Sequence, residues 1–252
     1  MAGVAGTDAA GYGTIVRDVP YGELTGLLVD LGNTLIGMDA VLVSEALVAE
    51  GVACTPERFQ RAEAAARPAL STWIATAAST EPTSLVYVRE ILVRLGRDAE
   101  SCTVIAPNVL GRMRRVPTQR LWSAILPGVP EALARARQAG IRVVVVSNSD
   151  GTAESGLVQC GLRALVDAVV DSHVFGVEKP DRRIFEHALV LAGAEPTRAA
   201  HVGDLHAVDV VGAAAAGIHP VLLDPFADWP DMGCATAPDL GAIVDRIVSA
   251  RG

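Results

Sequence analysis

The sequence has 252 residues, of which 50% are hydrophobic and 20% charged, which suits one large domain or a core with a modest second module. Asp and Glu number 29 against 21 Lys and Arg, a formal net charge of −8, so we expect no nucleic-acid partner. No apolar run reaches the ~18 residues of a membrane span, and the four cysteines form no CxxC pair. We therefore expect a cytoplasmic protein without a membrane partner; a homodimer stays open.

The first predicted elements are a tail and a set of buried strands. Residues 1–20 are rich in Gly and Ala with little periodicity, which predicts a flexible N-terminal tail. Later apolar runs are short and β-branched, as in strands of a parallel sheet covered on both faces. These runs are Leu27–Val29, Ile141–Val146, Val166–Val170, Ala200–Val202 and Val221–Leu223.

Helix-period stretches alternate with the later strands. They are Pro130–Ala139, Gly151–Cys160, Arg182–Ala192, Val208–Ala216 and, at the C-terminus, Asp239–Ala250. Gly140, Gly161, Gly193 and Gly217 stand where helices end with a left-handed residue. Alternating strands and helices imply right-handed crossovers, so the sequence predicts an α/β fold with a doubly wound, Rossmann-like parallel sheet.

Residues 40–125 differ, because they contain no strand-like run. Their periodicity predicts amphipathic helices over Ala40–Glu50, Pro56–Ala78, Pro82–Leu95 and near Val104–Arg115. The sequence thus predicts three parts: a tail at 1–20, an α/β core at 21–39 and 126–252, and an all-helical block at 40–125 inserted after the first strand.

Polar residues follow the predicted strands. Asp30 follows the first strand and Ser147 the second, a loop after the third reaches Lys179, and Asp204 and Asp209 follow the fourth. Each alone is as well explained by a helix cap or a surface charge. In open α/β sheets, however, ligands bind beyond the carboxyl ends of the strands. Carboxylates, a hydroxyl and an ammonium group together suit Mg²⁺ and a phosphate.

Four segments in order resemble the haloacid dehalogenase (HAD) superfamily, whose members are mostly phosphatases. They are Asp30–Leu35, Val143–Asn148, Gly176–Asp181 and His201–Asp204, the last continuing to Ile218. The resemblance runs from about residue 24 to 223 and excludes most of the insert. It implies a Mg²⁺-dependent phosphatase that acts on a small phosphorylated metabolite through an aspartyl-phosphate. It also implies that the helical block is a cap domain that closes over the site.

The resemblance assigns roles to the matched residues. The implied catalytic residues are Asp30 as nucleophile, Ser147, Lys179 and, as a replacement acid, Asp39. The implied phosphate-binding residues are Thr34, which braces the first loop, Ser147, Asn148 and Lys179. The implied Mg²⁺ ligands are Asp30, the backbone carbonyl of Gly32, and Asp204, with Asp209 as a further acidic group at the metal edge.

Gly32 is the main departure from the family pattern. Phosphatases of this superfamily usually carry a second Asp there, which protonates the leaving oxygen and later activates water. Such acid–base help is worth ~10²–10⁴ in rate, so a replacement is expected at Asp39 or His206. Asp39 also suits the N-cap of the first inserted helix, and His206 an exposed loop. If Asp39 is the acid, Asp39→Asn slows phosphate release more than it unfolds the protein.

Two other functions stay open. The superfamily's 2-haloacid dehalogenases also lack the second Asp and use no metal, but they generally lack the Gly203-Asp204 pair that is present here. A non-catalytic HAD-like binding protein is the other alternative. His201 is expected to be a packed core histidine, and Tyr87 and Trp122 either line a substrate pocket or pack in the helical core.

Overall fold

A computed structural model describes residues 18–76 and 80–252 of the chain. Most of the predicted tail, residues 1–17, lies outside the described residues. Among the helices that are described, none combines the length and the apolar character needed to cross a bilayer.

The described strands form a parallel sheet of six strands and an antiparallel pair. In chain order the strands are β1 (Gly26–Val29), β2 (Ile36–Met38), β3 (Trp122–Ile125), β4 (Arg142–Ser147), β5 (Ala168–Asp171), β6 (Ala199–Gly203), β7 (His219–Leu223) and β8 (Ala235–Ala237). The sheet order is β5-β4-β1-β6-β7-β8, and each neighbouring pair in it is parallel. The predicted doubly wound α/β fold is confirmed.

The helices cover both faces of this sheet. They are α1 (Ala40–Val48), α2 (Pro56–Thr76), α3 (Thr83–Arg94), α4 (Ala99–Met113), α5 (Thr118–Leu121), α6 (Val129–Gln138), α7 (Ala153–Gln159), α8 (Ser172–Phe175), α9 (Arg182–Ala192), α10 (Val211–Ala215) and α11 (Leu240–Ser249). One apolar cluster packs α6, α7 and α11 on the sheet, and a second packs α9 and α10 on it. The four glycines predicted to end helices have positive φ.

The inserted segment forms its own apolar cluster. Helices α1 to α4 bury side chains such as Phe59, Leu92 and Cys102 against one another, as their periodicity predicts. The expectation of no strand within residues 40–125 is wrong, because β3 pairs there with β2. Strand β3 has four residues, none of them fully buried, so it lacks the continuous apolar run that predicted β1, β4, β5, β6 and β7. The division into domains stays a prediction.

Strand order places the polar residues of the sequence pattern at one edge. Strand β1 lies between β4 and β6, with Leu28 opposite both Val144 and His201. Because parallel strands end at the same edge, the residues that follow β1, β4 and β6 converge there. The chain leaves β1 toward β4 and returns to β6 on the other side, which makes this edge a topological switch point, the usual ligand site of such sheets.

Candidate active site

A cavity of about 640 Å³ opens at this edge, between the sheet and the helical block. Its size is that of a small-molecule site. Of the residues predicted from the sequence, the cavity is lined by Asp30, Gly32, Ser147, Asn148, Lys179, Asp204 and Asp209. The helical block adds Leu70 and Ile74 from α2 and Tyr87 from α3 to its wall.

Lys179 is the buried cation of the site. Its Nζ donates to Asp30 Oδ1 at 2.6 Å and to Asp209 Oδ1 at 2.7 Å, and the residue is 3% exposed. Burial acts to lower the pKa of Lys179, but the charges of Asp209 and Asp30 outweigh it, so the pKa is raised. The ammonium group is therefore held charged beside Asp30, as the resemblance implies.

Asp209 is a counterion of Lys179 in this arrangement. Its Oδ1 accepts from Lys179 and lies 3.0 Å from His201 Nε2, and its Oδ2 accepts from the backbone N–H of Leu205. Burial acts to raise the pKa of Asp209, but Lys179 and His201 outweigh it, so the carboxyl stays ionised. Both oxygens of Asp209 thus have partners in the protein, and its place at the metal edge stays a prediction.

His201 packs in the core, as predicted. It is buried and meets Phe185 edge-on, with ring centroids 5.0 Å apart. Burial lowers its pKa below the usual histidine value, so the ring is neutral at physiological pH. The sequence did not show that this histidine also contacts Asp209 and so helps to hold the Lys179 counterion.

Asn148 holds the Lys179 loop in place. Its Nδ2 donates to the backbone carbonyl of Lys179 at 2.9 Å, and its Oδ1 accepts from the backbone N–H of Lys179 at 2.7 Å. This pair of hydrogen bonds uses both ends of the amide. The side chain of Asn148 thus positions the Lys179 loop, and phosphate binding by Asn148 stays a prediction.

Asp30 faces the cavity from the end of β1. Its backbone N–H donates to Val202, and Thr34 Oγ1 lies 3.5 Å from its Oδ2, a weak brace of the kind predicted. Burial raises the pKa of Asp30 to about 6 although Lys179 opposes the shift, so the carboxylate is ionised at neutral pH. Ser147, at the end of β4, is buried in the same wall.

Asp204 meets groups from the helical block. Its Oδ2 accepts from Asn33 Nδ2 at 3.1 Å and lies 3.4 Å from Arg67 Nε. Burial raises the pKa of Asp204 to about 8; Arg67 opposes this shift, whereas the charge of Asp30 adds to it. Asp204 and Asp30 are thus close enough for their charges to interact.

A polar network centres on two residues of α2, Glu63 and Arg67, and includes Asn33 from the loop before β2 and Tyr87 from α3. Glu63 accepts two hydrogen bonds from Arg67, at 2.8 and 2.6 Å, one from Asn33 and one from the Tyr87 hydroxyl. Glu63 and Arg67 were not predicted from the sequence. They lie at four-residue spacing after the buried Phe59, and charges on a buried helix face were the available signal.

Asp39 lies elsewhere. Its Oδ1 accepts from the backbone N–H groups of Val41 and Leu42 at the N-terminus of α1, and its Oδ2 accepts from Arg120 at 2.5 Å. Among the described residues that line the cavity, Asp39 is absent. Backbone hydrogen bonds lower its pKa, the reverse of what a general acid needs. The prediction of Asp39 as the replacement acid is corrected to the N-cap alternative.

This geometry changes the expected outcome at Asp39. Asp39→Asn should leave both phosphate release and stability nearly unchanged, because Asn caps helices as well as Asp does. Asp39→Ala should lower the free energy of unfolding by about 1 kcal/mol with kcat unchanged. Urea unfolding and initial rates on the two variants check this; a large drop in kcat in Asp39→Asn would restore Asp39 to the mechanism.

Gly32 and Trp122 stand together at the cavity wall. A Cβ at Gly32 would meet the Trp122 ring at 3.2 Å, so an indole occupies the direction in which a side chain at position 32 would extend. Trp122 lines the cavity and also packs against both the sheet core and the helical cluster.

His206, the other predicted acid, is half-buried in a π-helical turn, and the described cavity lining does not include it.

The donor set fits a hard divalent cation with few protein ligands. The contacting buried charges comprise four carboxylates, on Asp30, Glu63, Asp204 and Asp209, against the two cations of Lys179 and Arg67. In the described part of the chain, no group of three or more His, Cys, Asp or Glu side chains could hold a metal. Mg²⁺ needs only one or two carboxylates, since waters and substrate oxygens complete its shell.

Comparison with known proteins agrees with this fold. Residues 24–217 match the family model for haloacid dehalogenase-like hydrolases. The human haloacid dehalogenase-like hydrolase domain-containing protein 3 is 43% identical over 107 residues, 40% of this chain and 43% of that protein. Phosphoserine phosphatase from Thermus thermophilus is 29% identical over 221 residues, 84% of this chain and 85% of that enzyme. The chain spans about half the length of the first curated relatives it matches.

A solved structure shows the same fold. A HAD-hydrolase from Bacillus subtilis, YfnB, solved with bound magnesium, superposes with a TM-score of 0.62 at 14% identity, covering 89% of this chain and 99% of that one. At this identity the likeness shows the fold alone. The fold and the matched residues define an α/β protein of the hydrolase class. The chain belongs to the haloacid dehalogenase-like hydrolase family.

Proposed function

We propose that the protein is a Mg²⁺-dependent phosphatase that acts on a small phosphorylated metabolite through an aspartyl-phosphate on Asp30. The observation that carries the proposal is the pairing of Asp30 with Lys179 at 2.6 Å, at the edge of a cavity that also holds Ser147 and Asp204. This gives a carboxylate nucleophile, a fixed cation and a hydroxyl in one place. Such a set suits phosphoryl transfer, in which charge must be stabilised on the phosphoryl oxygens.

The side chains would divide the work as follows. An oxygen of Asp30 attacks phosphorus. Lys179 keeps its charge beside the incoming phosphoryl group, because Asp209 and the two hydrogen bonds between Asn148 and the Lys179 backbone hold it in place. Ser147 donates its hydroxyl to a phosphoryl oxygen. Mg²⁺, held by Asp30, Asp204 and the carbonyl of Gly32, would supply further positive charge to those oxygens when bound.

The helical block would act as a cap that limits the size of the substrate. Helix α2 contributes Leu70 and Ile74 to the cavity wall and contacts the core where Ser71 Oγ accepts from the backbone N–H of Ala207 at 2.8 Å. A cavity closed on this side admits a small molecule and excludes a folded phosphoprotein. The relative from Thermus thermophilus, named phosphoserine phosphatase, supports a small substrate.

The number of buried carboxyl groups also separates the alternatives. Four of them share two cations, and burial raises the pKa of Asp204 to about 8. A bound metal ion would let Asp30 and Asp204 be ionised together, which favours a metal site over the metal-independent dehalogenase chemistry. A non-catalytic binding protein would not need the buried Asp30–Lys179 pair, since burying such a pair does little for stability.

A screen of small phosphorylated metabolites, with and without Mg²⁺, tests the proposed function. We expect phosphate release from at least one of them, dependent on Mg²⁺. Mg²⁺-independent release of halide from 2-haloacids, with no phosphate release, would favour the dehalogenase alternative. Binding of a phosphorylated compound without turnover would favour the binding protein.

Mg²⁺ should also stabilise the fold, because it binds the native state and neutralises the buried excess charge. At a Mg²⁺ concentration ~100 times its Kd the expected gain is about 2.7 kcal/mol. Thermal unfolding with and without Mg²⁺ measures it. Asp204→Asn should lose most of the shift, whereas Asp150→Asn, a cavity carboxylate that accepts from Thr118 and Thr152, should keep it. An equal shift in all three proteins would remove Asp204 from the metal site.

A further inference from the structure

The described lining of the cavity holds few titratable side chains that could give a proton to a leaving group. Among residues 18–76 and 80–252, the titratable side chains that line it are Asp30, Tyr87, Asp150, Glu178, Lys179, Asp204 and Asp209. The Lys179 ammonium group already donates to Asp30 and Asp209. Both oxygens of Asp209 accept hydrogen bonds, and the Tyr87 hydroxyl donates into Glu63.

The remaining carboxylates do not supply the proton either. Asp150 accepts from the Thr118 and Thr152 hydroxyls, and these hydrogen bonds hold it ionised, with a pKa below its usual value. Glu178 is exposed to solvent at the rim. Asp204 faces Arg67 and accepts from Asn33, and the proposed function assigns it to Mg²⁺ and not to the leaving group.

An apolar wall stands where a proton donor is missing. Gly32 carries no side chain, and the Trp122 ring lies 3.2 Å from where its Cβ would be. Leu70 and Ile74 continue the apolar surface from α2. A bulk water on this wall would have few polar partners, so it is a poor substitute for a fixed acid.

We propose that the leaving oxygen departs without being protonated, so that the substrates are phosphates of weakly basic oxygens: acyl, enol or aryl phosphates rather than alkyl phosphates. This inference rests on the proposed phosphatase function and narrows its substrate class.

Every bond formed and broken in this reaction can be accounted for without a general acid. An Asp30 oxygen forms a bond to phosphorus as the bond from phosphorus to the leaving oxygen breaks, and the electron pair leaves with that oxygen as a carboxylate, enolate or aryloxide. Water then attacks phosphorus and breaks its bond to Asp30. Inorganic phosphate is released, the Asp30 carboxylate is restored, and the water proton passes to phosphate or solvent.

The basicity of the leaving oxygen then controls the rate. A phenolate is the conjugate base of an acid with a pKa of about 10, whereas an alkoxide resembles hydroxide, the conjugate base of an acid with a pKa of 15.7. The activation barrier for departure of an unprotonated alkoxide is therefore higher than that for departure of a phenolate. In enzymes that have a general acid, the acid raises the rate of such a step by ~10²–10⁴-fold.

The test compares kcat/KM for acetyl phosphate, 4-nitrophenyl phosphate, phenyl phosphate and an alkyl phosphate on the full chain with Mg²⁺. The ratio kcat/KM reports the first irreversible step, so slow release of phosphate from Asp30 does not mask it. We expect 4-nitrophenyl phosphate to exceed phenyl phosphate by about 10²-fold, with the alkyl phosphate slowest. Rates within threefold across the series would overturn the inference while leaving the phosphatase function in place. No turnover of any of the four would overturn both.

A pair of variants tests whether position 32 is where the donor is missing. Trp122→Ala should keep the wild-type ratio of 4-nitrophenyl to phenyl phosphate. Trp122→Ala with Gly32→Asp gives a carboxylate room to enter the cavity, and its ratio should shrink at least about tenfold. The ratio compares two substrates on one sample, so partial unfolding of a variant does not change it. Equal ratios in the two variants would overturn the role of position 32.

Discussion

Asp30→Asn should lower the rate of phosphate release by about 10⁴-fold or more, because the amide cannot supply the attacking oxygen. Initial rates on 4-nitrophenyl phosphate at saturating Mg²⁺ measure the loss. The effect should fall on kcat, since the amide nearly preserves the shape of the cavity while the covalent step is lost. No other single substitution in the chain is expected to reduce turnover as much.

The control for this variant is urea unfolding, which shows whether the protein is still folded. Asp30→Asn removes a buried charge but leaves Asp209 as a partner of Lys179, so the protein should unfold at a similar urea concentration. A residual rate above about 1% of wild type in a folded variant, a ~10²-fold loss or less, would be too high for loss of the nucleophile. It would instead indicate that Asp30 only binds the metal or the substrate.

Lys179→Met should give the largest loss of stability among the site variants. The substitution leaves Asp30 and Asp209 buried without their shared cation, and breaking a buried pair in this way costs about 3–5 kcal/mol. Urea unfolding at neutral pH measures the change in the free energy of unfolding. Turnover should be lost as well, because the same ammonium neutralises the incoming phosphoryl group.

A double variant tests whether Lys179→Met loses stability through the unpaired buried charges or through the changed packing. Lys179→Met with Asp209→Asn removes one of the two stranded carboxylates, and it should be more stable than Lys179→Met alone because the two residues are in contact. If the double variant is less stable by the sum of the two single losses, the ion pair contributes no coupling and the account of Lys179 is wrong.

Most of the sheet could be predicted from the sequence because its strands are buried on both faces. Continuous runs such as Val143–Val146 have no other good explanation in a chain that also shows helical periods. Strand β3 was missed for the opposite reason: with only partial burial and a three-residue partner, it has no pattern of its own.

The site was predictable only where a residue directly follows a strand. Asp30, Ser147 and Asp204 are placed by strand ends, so chain order was enough to bring them together. The sequence did not show the hydrogen-bond partner of each polar atom. The amide of Asn148 forms two hydrogen bonds with the backbone of Lys179, and both oxygens of Asp209 accept hydrogen bonds. Such hydrogen bonds depend on how loops meet in three dimensions.

The contribution of α2 shows the same limit. Arg67, paired with Glu63, reaches Asp204 only because α2 docks with that face toward the sheet. The sequence of the helix does not indicate which residue Arg67 contacts. Asp39 could be either an acid or a helix cap by sequence. The geometry of α1 decides for the cap, since the Asp39 carboxylate accepts the first free N–H groups of the helix.

The most direct test of the account is to stop the reaction with acid during turnover of acetyl phosphate and to locate the phosphoryl group by peptide mass spectrometry. The account predicts one added phosphoryl group on the peptide that contains Asp30, absent from Asp30→Asn. Release of inorganic phosphate with no phosphoryl group on that peptide, or with the group on another residue, would contradict it.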